Sequence, residues 1–108
     1  MKKTKELTQE QKDTLLRTKL NMETARLPWS ELQRHFAAGN VIEVAAGLDL
    51  IEVGVQFAND DKAALAPAIE AGRIGRVSDA RAQVWLDGQA QLRTVVIAPF
   101  VLVQAIVA

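Results

Sequence analysis

His35 is the one histidine of this 108-residue chain, so acid–base chemistry near neutrality would start there. It falls three residues after Leu32, beside the apolar face of an expected short helix. No Ser, Asp or Glu stands at triad-like spacing around it. A boundary histidine bonded to a carbonyl or to water explains the position equally simply. The carboxylates come next. Glu23 projects near a ridge of Leu16, Leu20 and Leu27, Asp49 and Glu52 open one expected helix, and Asp60, Asp61 and Asp79 adjoin others. Paired carboxylates hold divalent cations or move protons. Acids at helix N-termini also satisfy free backbone donors and complement the dipole, which accounts for all of these except Glu23. No run has calcium-loop spacing. An enzyme built from this set would need Glu23, His35 and Asp49 to meet in one cleft.

Arg73, Arg76 and Arg81 flank Ser78 at the start of an expected helix. Guanidiniums facing free helical N–H groups would make an anion site, so Arg73, Arg76, Ser78 and Arg81 form the candidate set for a small-molecule or anion-binding regulator. Trp29 and Trp85 are able to stack on a ligand, but no basic residues interleave with them, which disfavours nucleic acid as a partner. A helix–turn–helix reading of Asp49–Ala58 and Lys62–Ala71 fails because the second helix offers only Lys62 as a base. The chain has no cysteine, no tyrosine and no glycine-rich phosphate loop, and no cofactor or metal is called for.

The elements that must carry these groups follow from caps and apolar spacing. Thr8-Gln9-Glu10-Gln11 fits a capping box, opening a long helix to about Arg26 that Pro28 closes. That helix is thinly apolar, and its few large groups would hold it only against another surface. Ser30-Glu31-Leu32-Gln33 is a second box, opening a helix to Ala38 with Gly39 behind it. Val41 to Ala46 reads as a strand. Asp49 caps a helix to about Ala58, central by its stripe of Leu50, Val53 and Phe57. Gly54 inside it costs about 1 kcal/mol relative to alanine unless a neighbouring backbone comes close. Asp60 or Asp61 caps a helix to Ala71 that Pro67 kinks or splits. Arg73–Val77 is extended. Ser78 caps a helix of about Asp79 to Asp87 with Ala82, Trp85 and Leu86 inward. Leu92–Ala98 and Phe100–Val107 are strand-like, apolar enough for burial on both faces, with Pro99 at a bulge, strand end or sheet edge.

This order predicts an α+β fold: a small, mostly antiparallel or mixed sheet covered by about five helices, in one domain spanning 1–108 with residues 1–7 frayed. Thirteen bases balance thirteen acids, so no strong overall field draws the chain to nucleic acid or membrane. The balance is uneven locally, with +3 over residues 1–26 and −3 over the rest. Neither a secretory leader nor a membrane span is expected, which points to a cytoplasmic protein.

Glu23-Thr24-Ala25, Trp29-Ser30-Glu31-Leu32, Phe36-Ala37-Ala38-Gly39, Leu48-Asp49-Leu50 and Ala98-Pro99-Phe100-Val101-Leu102-Val103-Gln104 together carry a family resemblance. From about Leu20 to Gln104 the chain resembles the small bacterial family called domain of unknown function 2288. Phe100 stands where the family pattern has Trp. The resemblance implies a bacterial origin and a cytoplasmic setting, and it carries no activity or site residues. The expectation is therefore a non-enzymatic interaction module working as a homo-oligomer, a dimer first of all. Trp29, Phe100, Leu102 and Ile106 are its interface candidates, because the C-terminal tract holds more apolar surface than a core of this size readily covers.

Overall fold

A computed structural model describes residues 6–106. The Thr8 capping box forms: the Gln11 N–H donates to Thr8 Oγ1 at 3.0 Å and the Thr8 N–H to Gln11 Oε1 at 2.8 Å. Helix α1 (Gln9–Glu23) follows. It stops three residues before the expected end, because Thr24 turns extended and bonds the Leu20 carbonyl through both its N–H and its hydroxyl. Ala25–Pro28 then forms strand β1, which local periodicity did not reveal. Ser30 does not cap the next helix. Trp29–Glu31 is a 3-10 turn, and α2 (Gln33–Ala37) begins behind Leu32 without a side-chain cap.

Strand β2 (Val41–Val44) leads to α3 (Leu50–Ala58), where Asp49 accepts from the Ile51 and Glu52 N–H groups. Asp61, rather than Asp60, caps α4 (Lys62–Glu70). Pro67 leaves α4 whole. Both Pro67 and Ala63, whose carbonyl loses a partner, are exposed, so water satisfies that oxygen. Strand β3 (Ile74–Arg76), helix α5 (Asp79–Asp87) behind Ser78, and strands β4 (Gln91–Ile97) and β5 (Phe100–Ala105) complete the chain. Ala98-Pro99 links the last two at a strand end. Leu86 is 44% exposed, against the expectation that it faces inward.

The five strands form one mixed sheet in the order β1-β4-β5-β2-β3, parallel only between β2 and β5. With five helices, this is the expected α+β class. Strand alternation divides the core in two. On one face α1, α3 and α4 cover Ile42, Val44, Ile74, Val95 and Leu102. On the other, the 3-10 turn, α2 and α5 cover Val41, Leu92, Val101 and Val103 with an aromatic group of Trp29, Trp85 and Phe36. Strand β5 is buried on both faces, as its apolar run predicts, whereas β4 alternates and leaves Val96 59% exposed. Gln104, buried in β5, donates to the Ala45 and Leu48 carbonyls at 2.9 and 2.7 Å and so fixes the β2–α3 loop.

Candidate functional site

The three groups required for an enzyme do not assemble. His35 is exposed on α2, over one face of the sheet. Glu23 ends α1 and Asp49 caps α3, both over the other face. None borders any of five surface concavities on the molecule. Among the described residues no three His, Asp or Glu side chains group as metal ligands would.

The expected anion set is divided by structural duties. The Ser78 hydroxyl is taken by the Arg81 N–H at 3.1 Å. Arg81 donates through Nε and Nη2 to Glu43 Oε2 at 3.2 and 3.1 Å, and lies 4.9 Å over the Trp85 ring. It is therefore a clasp between α5 and β2. Arg73 and Arg76 do meet, around a small concavity of about 150 Å³, but Glu43 shares that lining. The Arg73 guanidinium passes close to Gly47, its Nη2 2.9 Å from where a Cβ there would stand, so a side chain at that position would collide with it.

The interface candidates separate in the same way. Leu102 is fully buried and Trp29 is 2% exposed, so neither presents surface to a partner. Phe100 is half-buried and packs edge-on against Phe57, at 5.6 Å between ring centroids. The C-terminal tract thus spends its apolar side chains inside the molecule, because β5 lies between two strands with helices on both faces. Ile106 is half-buried at a concave rim. Trp29 contacts Trp85 and Phe36 at 5.2 and 5.4 Å between centroids. These rings floor two shallow grooves beside the exposed Leu86, which is a packing role.

Exposed apolar side chains occur on α4, α5 and β4 (Ile69, Val84, Leu86 and Val96) and along α1 and its lead-in. From Glu6 to Lys12 every residue is exposed. The body grips the helix only from Asp13 onward. There Asn59 Nδ2 donates to Asp13 at 2.8 Å, Arg17 makes a two-pronged pair with Glu52, and Leu20 packs 3.0 Å from the Cβ position of Gly54. The bonds from Asn59 and then Gln9 hold the Asp13 carboxyl below its usual range, while the Glu52 bond raises Arg17. Residues 6–12, the free half of the helix and its lead-in, stand clear of these contacts. Leu7, Leu15 and Met22 are exposed by 46, 59 and 82%. Leu15 and Met22 share an outer stripe at a spacing of two turns.

A second feature was invisible without β1. Arg26 and Arg93 are register partners in the β1–β4 pair. With Asn21, Thr24, Ala25 and Ile106 they line a concavity of about 420 Å³ beneath the end of α1. The only sequence signal would have been the extended propensity of the residues before Pro28, which the preceding helical pattern outweighed.

A family model described as a protein of unknown function, DUF2288, matches residues 15–105. The chain is also similar to the NMR solution structure of PA1075 from Pseudomonas aeruginosa, with 34% identity and a TM-score of 0.77 over 97% of this chain and 95% of that one. No curated protein matches it.

Proposed function

We propose, from the premise that the chain belongs to the DUF2288 family of proteins of unknown function, that it is a non-enzymatic cytoplasmic interaction module that pairs with a second copy of itself. The observation that supports this reading is the outward apolar stripe of Leu15 and Met22 on α1, with Leu7 exposed just ahead of the helix. A helix of fewer than about 12 residues is marginal in water by itself, so a helix half that leaves the body needs a second surface to stay wound. Two copies crossing antiparallel through Leu15 supply one. The same patch on both molecules is self-complementary, which is the geometry of a two-fold dimer. Its midpoint would bury the two leucines, and Met22 of each copy would lie against the first turn of the other. The polar groups between them (Gln11, Thr14, Thr18) keep the contact modest, in the range of a reversible dimer.

Sedimentation velocity tests this directly. The native chain is expected to dimerise with rising concentration, and the double variant Leu15→Glu, Met22→Glu to stay monomeric with unchanged circular dichroism of the body. A native chain that remains strictly monomeric at millimolar concentration would exclude the reading.

A further inference from the structure

We propose that Arg26 and Arg93 form a binding site for the phosphate group of a small molecule. The argument begins with the register. The Trp29 N–H donates to the Ala90 carbonyl just beyond the β1–β4 pairing, so by antiparallel alternation Leu27 and Leu92 exchange backbone bonds while Arg26 and Arg93 face each other without them. Such non-bonded partners are the closer of the two kinds, with Cα atoms about 4.5 Å apart and both side chains on one face of the sheet. Two like charges directly opposite at this spacing repel, which is a cost to the empty fold.

Among the described residues no carboxylate is paired with either arginine. The ion pairs among the described residues are Arg17–Glu52 and Arg81–Glu43, and neither involves these arginines. Glu23, at the adjoining helix end, bonds to neither of them. The C-terminus of α1 contributes only about half a negative charge against two full positive ones. On its other side Arg93 has Gln104 as its strand partner, and that amide is committed to the Ala45 and Leu48 carbonyls. A net positive site therefore faces the concavity of about 420 Å³. Phosphate fits the pair best. Two guanidinium forks match its three oxygens, and its double charge balances both arginines where a single carboxylate balances one. Asn21, whose side-chain amide makes no hydrogen bond within the described residues, lies in the same lining and supplies a further donor. Ala25 and Ile106 leave an apolar margin for the body of the ligand. The Arg73–Arg76 concavity lacks this character, because Glu43 contributes a carboxylate to its wall.

The test is a nitrogen–proton NMR titration of the whole chain with inorganic phosphate, phenyl phosphate and malonate, each against chloride at matched ionic strength. Phosphate is expected to give saturable shifts at the Ala25, Arg26 and Arg93 amides, and phenyl phosphate to bind more tightly through its ring on the Ile106 margin. Arg93→Gln and Arg26→Gln should each weaken phosphate binding by about tenfold or more. Arg93→Lys, which keeps the charge and loses the fork, should fall between. A thermal melt gives a second readout. Arg93→Gln should melt higher than the native chain in phosphate-free buffer, since the repulsion is gone, and should lose the stabilisation that phosphate gives the native chain. The proposal fails if phosphate shifts nothing beyond the chloride control, or if Arg93→Gln shifts identically. Saturation by malonate as tight as by phosphate would overturn the assignment to phosphate.

Discussion

Helices α1 and α3 lie side by side on the same face of the sheet and are held there in opposite ways. α3 has nine residues, of which Leu50, Ile51, Val53, Gly54 and Val55 are buried. α1 has fifteen, of which only Leu20 is buried. Length therefore says little about anchorage. The apolar side chains of α3 enter the core between sheet and helix, while α1 leans on α3 through Leu20, the half-buried Leu16 and two polar tethers. Full burial of a leucine side chain is worth roughly 1.5–3 kcal/mol, whereas a solvent-exposed ion pair such as Arg17–Glu52 is screened by water and holds far less. α1 is accordingly the element that opens first by local fluctuation, and α3 opens only when the whole molecule does. The difference also explains why α1, and not α3, has surface to offer a partner.

The largest effect that separates the two helices comes from matched truncations. Leu50→Ala and Leu20→Ala both remove a buried leucine, at about 2–5 kcal/mol each. Leu50→Ala should lower the chemical-denaturation midpoint of the entire chain. Leu20→Ala should instead accelerate hydrogen exchange mainly within α1, leaving the sheet amides close to native. Uniform acceleration in both variants would erase the distinction.

Gly54→Val acts between the helices without changing the sequence of α1. A Cβ there stands 3.0 Å from Leu20 Cδ1 and 3.6 Å from Ile97 Cδ1, and the added methyls of valine would push both away. The glycine is explained by this close side chain rather than by a close backbone. Overpacking of this kind costs about 1–3 kcal/mol, and thermal melts should show α1 detaching before the main transition.

The polar tethers give the smallest effect. Asp13 titrates below its usual range in the folded state, so its contribution is present above that range and is lost as the pH falls through it. Arg17 is shifted upward, so it keeps its charge at every pH below the strongly alkaline, and its pair lasts wherever the Glu52 carboxylate is ionised. Below roughly pH 4, α1 amides should exchange faster relative to those of α3, and Asp13→Asn should flatten that dependence. A native profile without any acid-side change in α1 would remove Asp13 from the account of how the helix is held.

Local chemistry was legible wherever a residue acts within a few positions of itself. Thr8, Asp49, Asp61 and Ser78 cap the helices they precede because each side chain reaches an N–H two or three residues on. Gly39 and Gly72 end helices with φ of +79° and +74°, a conformation that favours glycine. Ser30 misled because Trp29 is drawn into the aromatic group against Trp85 and Phe36, winding the backbone into a 3-10 turn before any α-helical cap can form. Leu86 misled because Ala82 and Trp85 alone make the buried face of α5, and Leu86 beside them stays exposed. The C-terminal tract was correctly read as apolar on both faces, and most of that apolar surface lies in the centre of the sheet.

What the residues determined alone is the α+β class and most helix starts, the latter because a cap depends on bonds spanning one turn or less. What only the tertiary structure decided is which strand lies beside which. Ala25–Pro28 becomes a strand because β4, more than sixty residues away, offers it a ladder, and that pairing sets Arg26 against Arg93. The energy of such a contact is absent from either segment by itself. It arises when the chain closes the loop between them, so neither the free half of α1 nor the arginine pair could be seen until the sheet was in place.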